Sequence, residues 1–299
     1  MTALVLHGGQ RGTDPAATAI CRNAMSVDVE DYFQVSAMEP RIPRATWDDF
    51  PCRVEDNVAR ILDLFDRHRT RATFFTLGWI ARRYPAMLRR IVEAGHELAS
   101  HGMAHVRISA QSRDEFRKDV RQAKALLEDV AGVPVRGYRA ASFSLGRDTL
   151  WAHDVLAEEG YSYSSSVYPI RHDHYGIPDA PRAAYRPLAD AGFLEIPIAT
   201  LEIFGHRLPC GGGGYFRLLP YRWSRWALAQ VNRREGRPAV FYFHPWEIDP
   251  AQPRVDGLSA RTRFRHYTNL SRMETRLDRL LAAFSWDRMD AIYLAAEEA

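Results

Sequence analysis

Residues 24–33 read AMSVDVEDYF, an apolar, strand-like run that gives way to Asp28, Glu30 and Asp31. Alternation puts Asp28 and Glu30 on one face of a strand. Two carboxylates side by side among apolar and aromatic neighbours repel each other, so that face calls for a cation or a raised pKa. The same layout recurs further along. His101 and His105 close HELASHGMAH (96–105), Arg139 sits in VRGYRAASFS (135–144), and His244 ends the apolar run of AVFYFHPWE (239–247). A barrel of strand–helix units gathers such strand ends at one rim, where barrel enzymes keep their active sites. Carboxylates with two histidines form a ligand set for a divalent metal. On a helical turn the H-x-x-x-H spacing would put both imidazoles on one face, about 5–6 Å apart at Cβ. Gly102, directly after His101, marks a strand breaking into a turn. Arg139 and the unpaired His244 add the charge and proton handling of a hydrolase.

At 299 residues the chain can bury a large core, and 46% hydrophobic residues is ordinary for a globular protein. A formal charge of +3 does not call for a nucleic-acid partner. Lys118 and Lys124 are the only lysines, an arginine skew that reads as genome base composition rather than a binding face. Cys21, Cys52 and Cys210 are odd in number and far apart, so they read as free thiols in a reducing compartment. The N-terminus lacks the basic start and apolar core of a signal peptide. No run approaches the roughly 18 apolar residues of a membrane span. Residues 1–23 read as a loose extension. The expected location is cytoplasmic, beside the inner membrane, and the sequence leaves the oligomeric state open.

Strand-like and helix-like stretches alternate from there on. Val54, Val58, Ile61, Leu62 and Phe65 fall at helical spacing, Pro85 opens a helix that stops at Gly95, and Ser112 with Glu115 forms a capping box. Alternating units argue for a parallel sheet, closed or nearly so. Three stretches break the rhythm and read as functional loops or lids: 168–187, 208–220 and 249–270. Their aromatics Tyr175, Tyr215 and Phe216, with Trp246, are candidates for sugar stacking or for core packing.

The motif carriers in order are SVDVEDYF (26–33), ATFF (72–75), SHGMAH (100–105), GYRAASFS (137–144) and FYFHPWE (241–247). They resemble the motifs of NodB-type polysaccharide deacetylases of carbohydrate esterase family four. VDVEDYFQVSA (27–37), VYPIRHDHYGIPDAP (167–181), GGGGYFRLLPY (211–221), FHPWEIDP (243–250) and TRFRHY (262–267) are similar to the deacetylases of exosortase-linked exopolysaccharide loci. The resemblance implies an α/β fold, a distorted (β/α) barrel in one domain spanning 24–248, with 249–299 as a C-terminal extension packed on it. It implies hydrolysis of N-acetyl groups from an amino-sugar polysaccharide or its lipid-linked precursor, dependent on one divalent ion, zinc. Under it Asp28 matches the catalytic base, and Glu30, His101 and His105 the metal ligands, with Asp31 the rival carboxylate and a further catalytic candidate. Arg139 matches the arginine that pairs with the base, and His244 the acid that protonates the leaving amine. The chain departs from the family pattern at Ala141, where proline is usual, at Met103, where an aromatic is usual, and at Ser164, where Asp is frequent. Loss of that proline would loosen the Arg139 loop. Hydrolysis of another carbon–nitrogen amide on the same scaffold, or an inactive carbohydrate-binding relative, are the alternative readings.

Overall fold

A computed structural model describes residues 21–172, 175–189 and 192–294. The first strand, β1 (Arg22–Val29), is buried on both faces from Asn23 onward. Such a strand needs cover on each side, as in a parallel sheet wrapped by helices. Alternation sends Met25, Val27 and Val29 into the core shared with the helices, and leaves Ala24, Ser26 and Asp28 for the inside of the curl. The chain continues through α1 (Val54–Arg67), β2 (Thr73–Thr76), α2 (Gly78–Arg83), α3 (Pro85–Glu93), β3 (Glu97–Ser100) and α4 (Arg113–Ala131). Next come β4 (Gly137–Tyr138), α5 (Ala152–Glu158), β5 (Tyr163–Ser164), β6 (Leu194–Glu195), β7 (Thr200–Ile203) and β8 (His206–Pro209). The chain then forms α6 (Gly213–Leu218), α7 (Tyr221–Glu235), β9 (Val240–Phe243), α8 (Ala260–Tyr267), α9 (Leu270–Ala283), β10 (Ser285–Asp287) and α10 (Met289–Tyr293).

Local chemistry sets these boundaries. Val54, Val58, Ile61, Leu64 and Phe65 form the buried stripe of α1. Ser112 and Glu115 cap α4 reciprocally, and Gly132 ends it in the left-handed conformation at φ +68°.

The sheet runs β10-β1-β2-β3-β4-β5-β6, with β9 also paired to β1, and every pairing in it is parallel. Ala24 faces both Val240 and Asp287, so β9 and β10 take opposite edges of β1, and β10 lies below β2 on the same edge. The curl is completed between β6 and β9 by single contacts rather than a ladder. Ala199 N donates to Val240 O at 3.2 Å, and Tyr242 N to Gly211 O at 2.8 Å. Gly211 permits this seam, because a Cβ there would lie 2.2 Å from Val240 O. This is the distorted α/β barrel that the sequence implies.

Three expectations need correcting. The loose extension was drawn to residue 23, but β1 starts at Arg22; residues 1–20 lie outside the described chain. Two stretches read as irregular contain helices: α6 grows out of the glycine run and α8 lies within 249–270. The segment after residue 248 does more than pack on the barrel, since β10 is a strand of its sheet. Among the described residues no helix is long and apolar enough to cross a membrane.

Candidate active site

Six of the seven singled-out residues meet at the C-terminal rim of the sheet. Asp28 points inside the curl from the end of β1, and Glu30 follows just past the strand. The Arg139 guanidinium is fully buried beside Asp28, with Nη1 2.5 Å from Asp28 Oδ1 and 2.9 Å from Ser26 Oγ. Its Nε donates to Ser165 O at 3.0 Å and Nη2 to Ser165 Oγ at 2.9 Å, while the Phe75 ring lies 4.1 Å below the guanidinium carbon. A buried cation with a carboxylate partner and satisfied donors is the tolerated form of buried charge.

Glu30, His101 and His105 are buried and offer one ligand atom each, all within 4.8 Å of one another. His101 Nδ1 bonds to the Arg139 carbonyl at 2.9 Å, so Nδ1 carries the hydrogen and Nε2 keeps its lone pair. Burial lowers the pKa of both imidazoles, that of His105 well below its usual value, and keeps them neutral. Glu30 Oε2 is buried without a hydrogen bond, though His105 Nε2 lies 3.0 Å away. Burial, with Asp28 nearby, lifts the Glu30 carboxyl to about 7 against the pull of His244. An orphaned buried carboxylate oxygen facing two neutral imidazoles fits a divalent ion. The histidines do not meet on a helical turn: the backbone between them is irregular, with Gly102 at φ +79° and His105 at φ +53°. Their ring centroids are 5.2 Å apart.

Asp31, the rival ligand and catalytic candidate, stays out of this group. Its oxygens accept the backbone amides of Tyr32 at 2.8 Å, Arg53 at 2.5 Å and Val54 at 2.8 Å, so it anchors the start of α1. Helix N-termini present unpaired amides that favour such a carboxylate.

His244 completes the rim, with Nε2 3.4 Å from Glu30 Oε1 and 3.9 Å from Asp28 Oδ2. Its Nδ1 pairs with Glu247 Oε2 at 3.1 Å, and Glu247 Oε1 accepts from Arg217 Nε at 2.8 Å. Burial alone would lower the His244 pKa; Glu30, Glu247 and Asp28 outweigh it and lift the ring to about 9. A cation on Glu30 would withdraw part of that lift. Burial would likewise raise Glu247, but Arg217 and His244 bring it down to about 2.

Sequence reading missed Glu247, Arg217, Ser26 and Ser165. Glu247 stands three residues after His244, the one positional signal; Arg217 follows the glycine run with no spacing that ties it to the site. Two proposed sugar platforms are not accessible. Trp246 is sandwiched between His244 and His266 and donates to Glu30 Oε1 at 3.3 Å, and Phe216 is 1% exposed against Phe241. Tyr175 and Tyr215 stay partly exposed near the rim.

The sequence profile described as "Polysaccharide deacetylase" matches residues 38–163, and a domain of unknown function, DUF3473, matches 165–294. The first match takes in 126 of the 299 residues, and over that segment the chain is similar to polysaccharide deacetylases. Among similar proteins, a chitooligosaccharide deacetylase of Sinorhizobium fredii is 33% identical over 147 residues, covering 49% of this chain and 61% of that protein. A peptidoglycan-N-acetylglucosamine deacetylase of Bacillus cereus is 32% identical over 87 residues, 29% of this chain and 31% of that protein. The chain thus spans less than two thirds of these relatives. A solved structure of a candidate polysaccharide deacetylase from Mycobacterium smegmatis shares the fold, with a TM-score of 0.61 and 21% identity over 93% of this chain and 91% of that one. In this chain the two profiles meet at β5, inside the sheet, so the DUF3473 segment supplies β6, β9 and β10 together with His244, Glu247 and Arg217.

Proposed function

We propose that the chain is a metal-dependent N-deacetylase of an amino-sugar polysaccharide or its lipid-linked precursor, acting in exopolysaccharide assembly. The observation that carries this reading is the buried Glu30–His101–His105 group with Asp28–Arg139 on one side and His244 on the other. The named activities of the relatives support the acetylated-saccharide substrate.

Glu30, His101 and His105 would hold the ion, zinc in this reading. When bound, it supplies Lewis acidity and brings water toward a neutral pKa. Amide hydrolysis then needs a base and an acid. Asp28, fixed by Arg139, takes the proton of the attacking water. Arg139 holds the Asp28 side chain aimed at the rim and is itself locked by Ser26 and Ser165. His244, oriented through Nδ1 by Glu247, gives its Nε2 proton to the departing amine, which leaves poorly as an anion. Arg217 keeps Glu247 ionised for that task.

The test is acetate release from a panel of N-acetylated oligosaccharides, using chelator-stripped protein with zinc or cobalt added back. Release that depends on the added ion is the expected result. Zinc-loaded protein that frees no acetate from any member of the panel sinks the reading.

A further inference from the structure

The connection between β1 and α1, residues 30–53, brings the Arg44 guanidinium against the turn that carries His101 and His105. Arg44 Nε donates to Ala104 O at 2.7 Å and Nη2 to His105 O at 2.8 Å, while Nη1 pairs with Glu39 Oε1 at 2.7 Å. From another side, both oxygens of Asp119 on α4 lie 3.3 Å from the Met103 amide they accept. Gly78 N and Trp79 N at the start of α2 donate to Gly102 O at 2.9 Å and Met103 O at 2.8 Å. Every carbonyl from Gly102 to His105 is therefore held by a donor outside the turn. The turn needs holding, because His105 sits at φ +53°, a left-handed conformation that is uphill for a residue with a Cβ. The direction of an imidazole follows the backbone that carries it.

We propose that Arg44, seconded by Asp119, is a positioning residue for the metal centre: it fixes the His105 peptide and thereby the aim of the His105 ring. This rests on the reading of Glu30, His101 and His105 as ligands. It makes a prediction opposite in sign to plain electrostatics. A guanidinium near a cation site repels the cation, so removing it should tighten metal binding if charge were its only effect. If Arg44 orients a ligand, removing it should weaken binding, as loss of partners behind metal ligands does.

The experiment measures zinc affinity of the full chain by competition with a chromophoric chelator, and the ligand-field spectrum of the cobalt-loaded form. Arg44→Met is expected to weaken zinc binding about 10–100-fold and to shift the cobalt bands. Arg44→Lys, whose ammonium reaches fewer acceptors, should fall between, and Asp119→Asn should show a smaller loss. Arg147→Met, on an exposed pair with Asp179, should match the parent. Folded Arg44→Met that binds zinc as tightly as the parent, or more tightly, overturns the proposal. If that variant does not fold, unchanged affinity and spectra in both Arg44→Lys and Asp119→Asn overturn it instead. A parent chain that binds no zinc overturns the ligand reading as well, which separates the two failures.

Discussion

Arg139 serves the site twice. Its carbonyl sets the His101 tautomer and its guanidinium holds Asp28, so one residue ties the proposed ligand histidine to the proposed base. The two sides of the site can still be separated by mutation. Asp28→Asn should retain zinc and lose about 10²–10⁴-fold in turnover; near-parental kcat with metal bound would remove Asp28 from the role of base. His101→Ala with His105→Ala should strip the ion, and stoichiometric zinc in that double variant would refute the ligand set. Ala141, expected to leave the Arg139 loop slack, does not leave Arg139 short of partners. Ala140 already has the extended backbone (φ −72°, ψ 134°) that a following proline requires. Ala141→Pro should therefore stabilise the fold by about 0.4–1 kcal/mol through the unfolded chain, read as a small rise in Tm; a lowered Tm would count against it. Residue types at strand ends were legible because each polar group interrupts an apolar run. Asp31 was not separable from Glu30 by sequence, since adjacency says nothing about which carboxylate meets the amides of α1.

Among the elements, α6 shows why part of the site was hidden. Its glycine-rich start lacks any apolar periodicity, and its place depends on tertiary contacts such as Arg217 donating to the carbonyls of Arg265, His266 and Thr268. Gly213 lies so close to Glu247 that a Cβ would come within 2.1 Å of Oε2. Gly213→Ala should push Glu247 off His244 and lower kcat by as much as about 10²–10⁴-fold, the range for a lost general acid. Zinc affinity should hardly change, and unaltered kcat would show that Glu247 does not orient His244. Just before β3, His96 gives a pH test away from the proposed metal site. Burial, helped by Arg71 and Arg288, lowers it to about 4, and its Nδ1 accepts the Ala72 amide at 3.1 Å. The unfolded chain takes up a proton near pH 6.5 while the folded chain resists until about 4. This contribution is thus complete above pH 6.5 and is lost as pH falls toward 4, on the order of 3 kcal/mol by linkage. His96→Gln keeps an acceptor and cannot titrate, so its urea midpoint should fall less between pH 7 and 4.5 than the parent's. Equal slopes would contradict the assignment. The long helices were readable from their stripes and caps, whereas β4, β5 and β6, two residues each, carry too few alternations to set their ends.

For the whole molecule, the barrel type was legible from the alternation of units and from the motif resemblance. The late strand beside β1 was not, because a three-residue strand leaves no pattern. Its removal is testable. Below the site, Met289 N donates to Thr73 Oγ1 at 2.8 Å, Asp290 N reaches Glu97 Oε2 at 3.2 Å, and Met289 Sδ lies 3.9 Å from Arg139 Nη2. Trp286, Met289 and Leu294 are all buried. Burying each such side chain is worth roughly 1.5–3 kcal/mol, and three together approach the whole net stability of an ordinary domain, about 5–15 kcal/mol. A chain ending at Phe284 should melt far below the parent or fail to fold; a Tm within a few degrees of the parent would show that β10 and α10 are dispensable.

The pairing of Arg22 with Ser285 also sets a timetable. Among the described strands, β1 is made first and two of its partners, β9 and β10, are made last. At about 5–20 residues per second, the wait between them is on the order of tens of seconds. Throughout it β1 carries an apolar surface that its own late neighbours have not yet reached. Birth on the ribosome, rather than stability once folded, is the stage at which this chain is most open to capture by a chaperone or by another nascent copy.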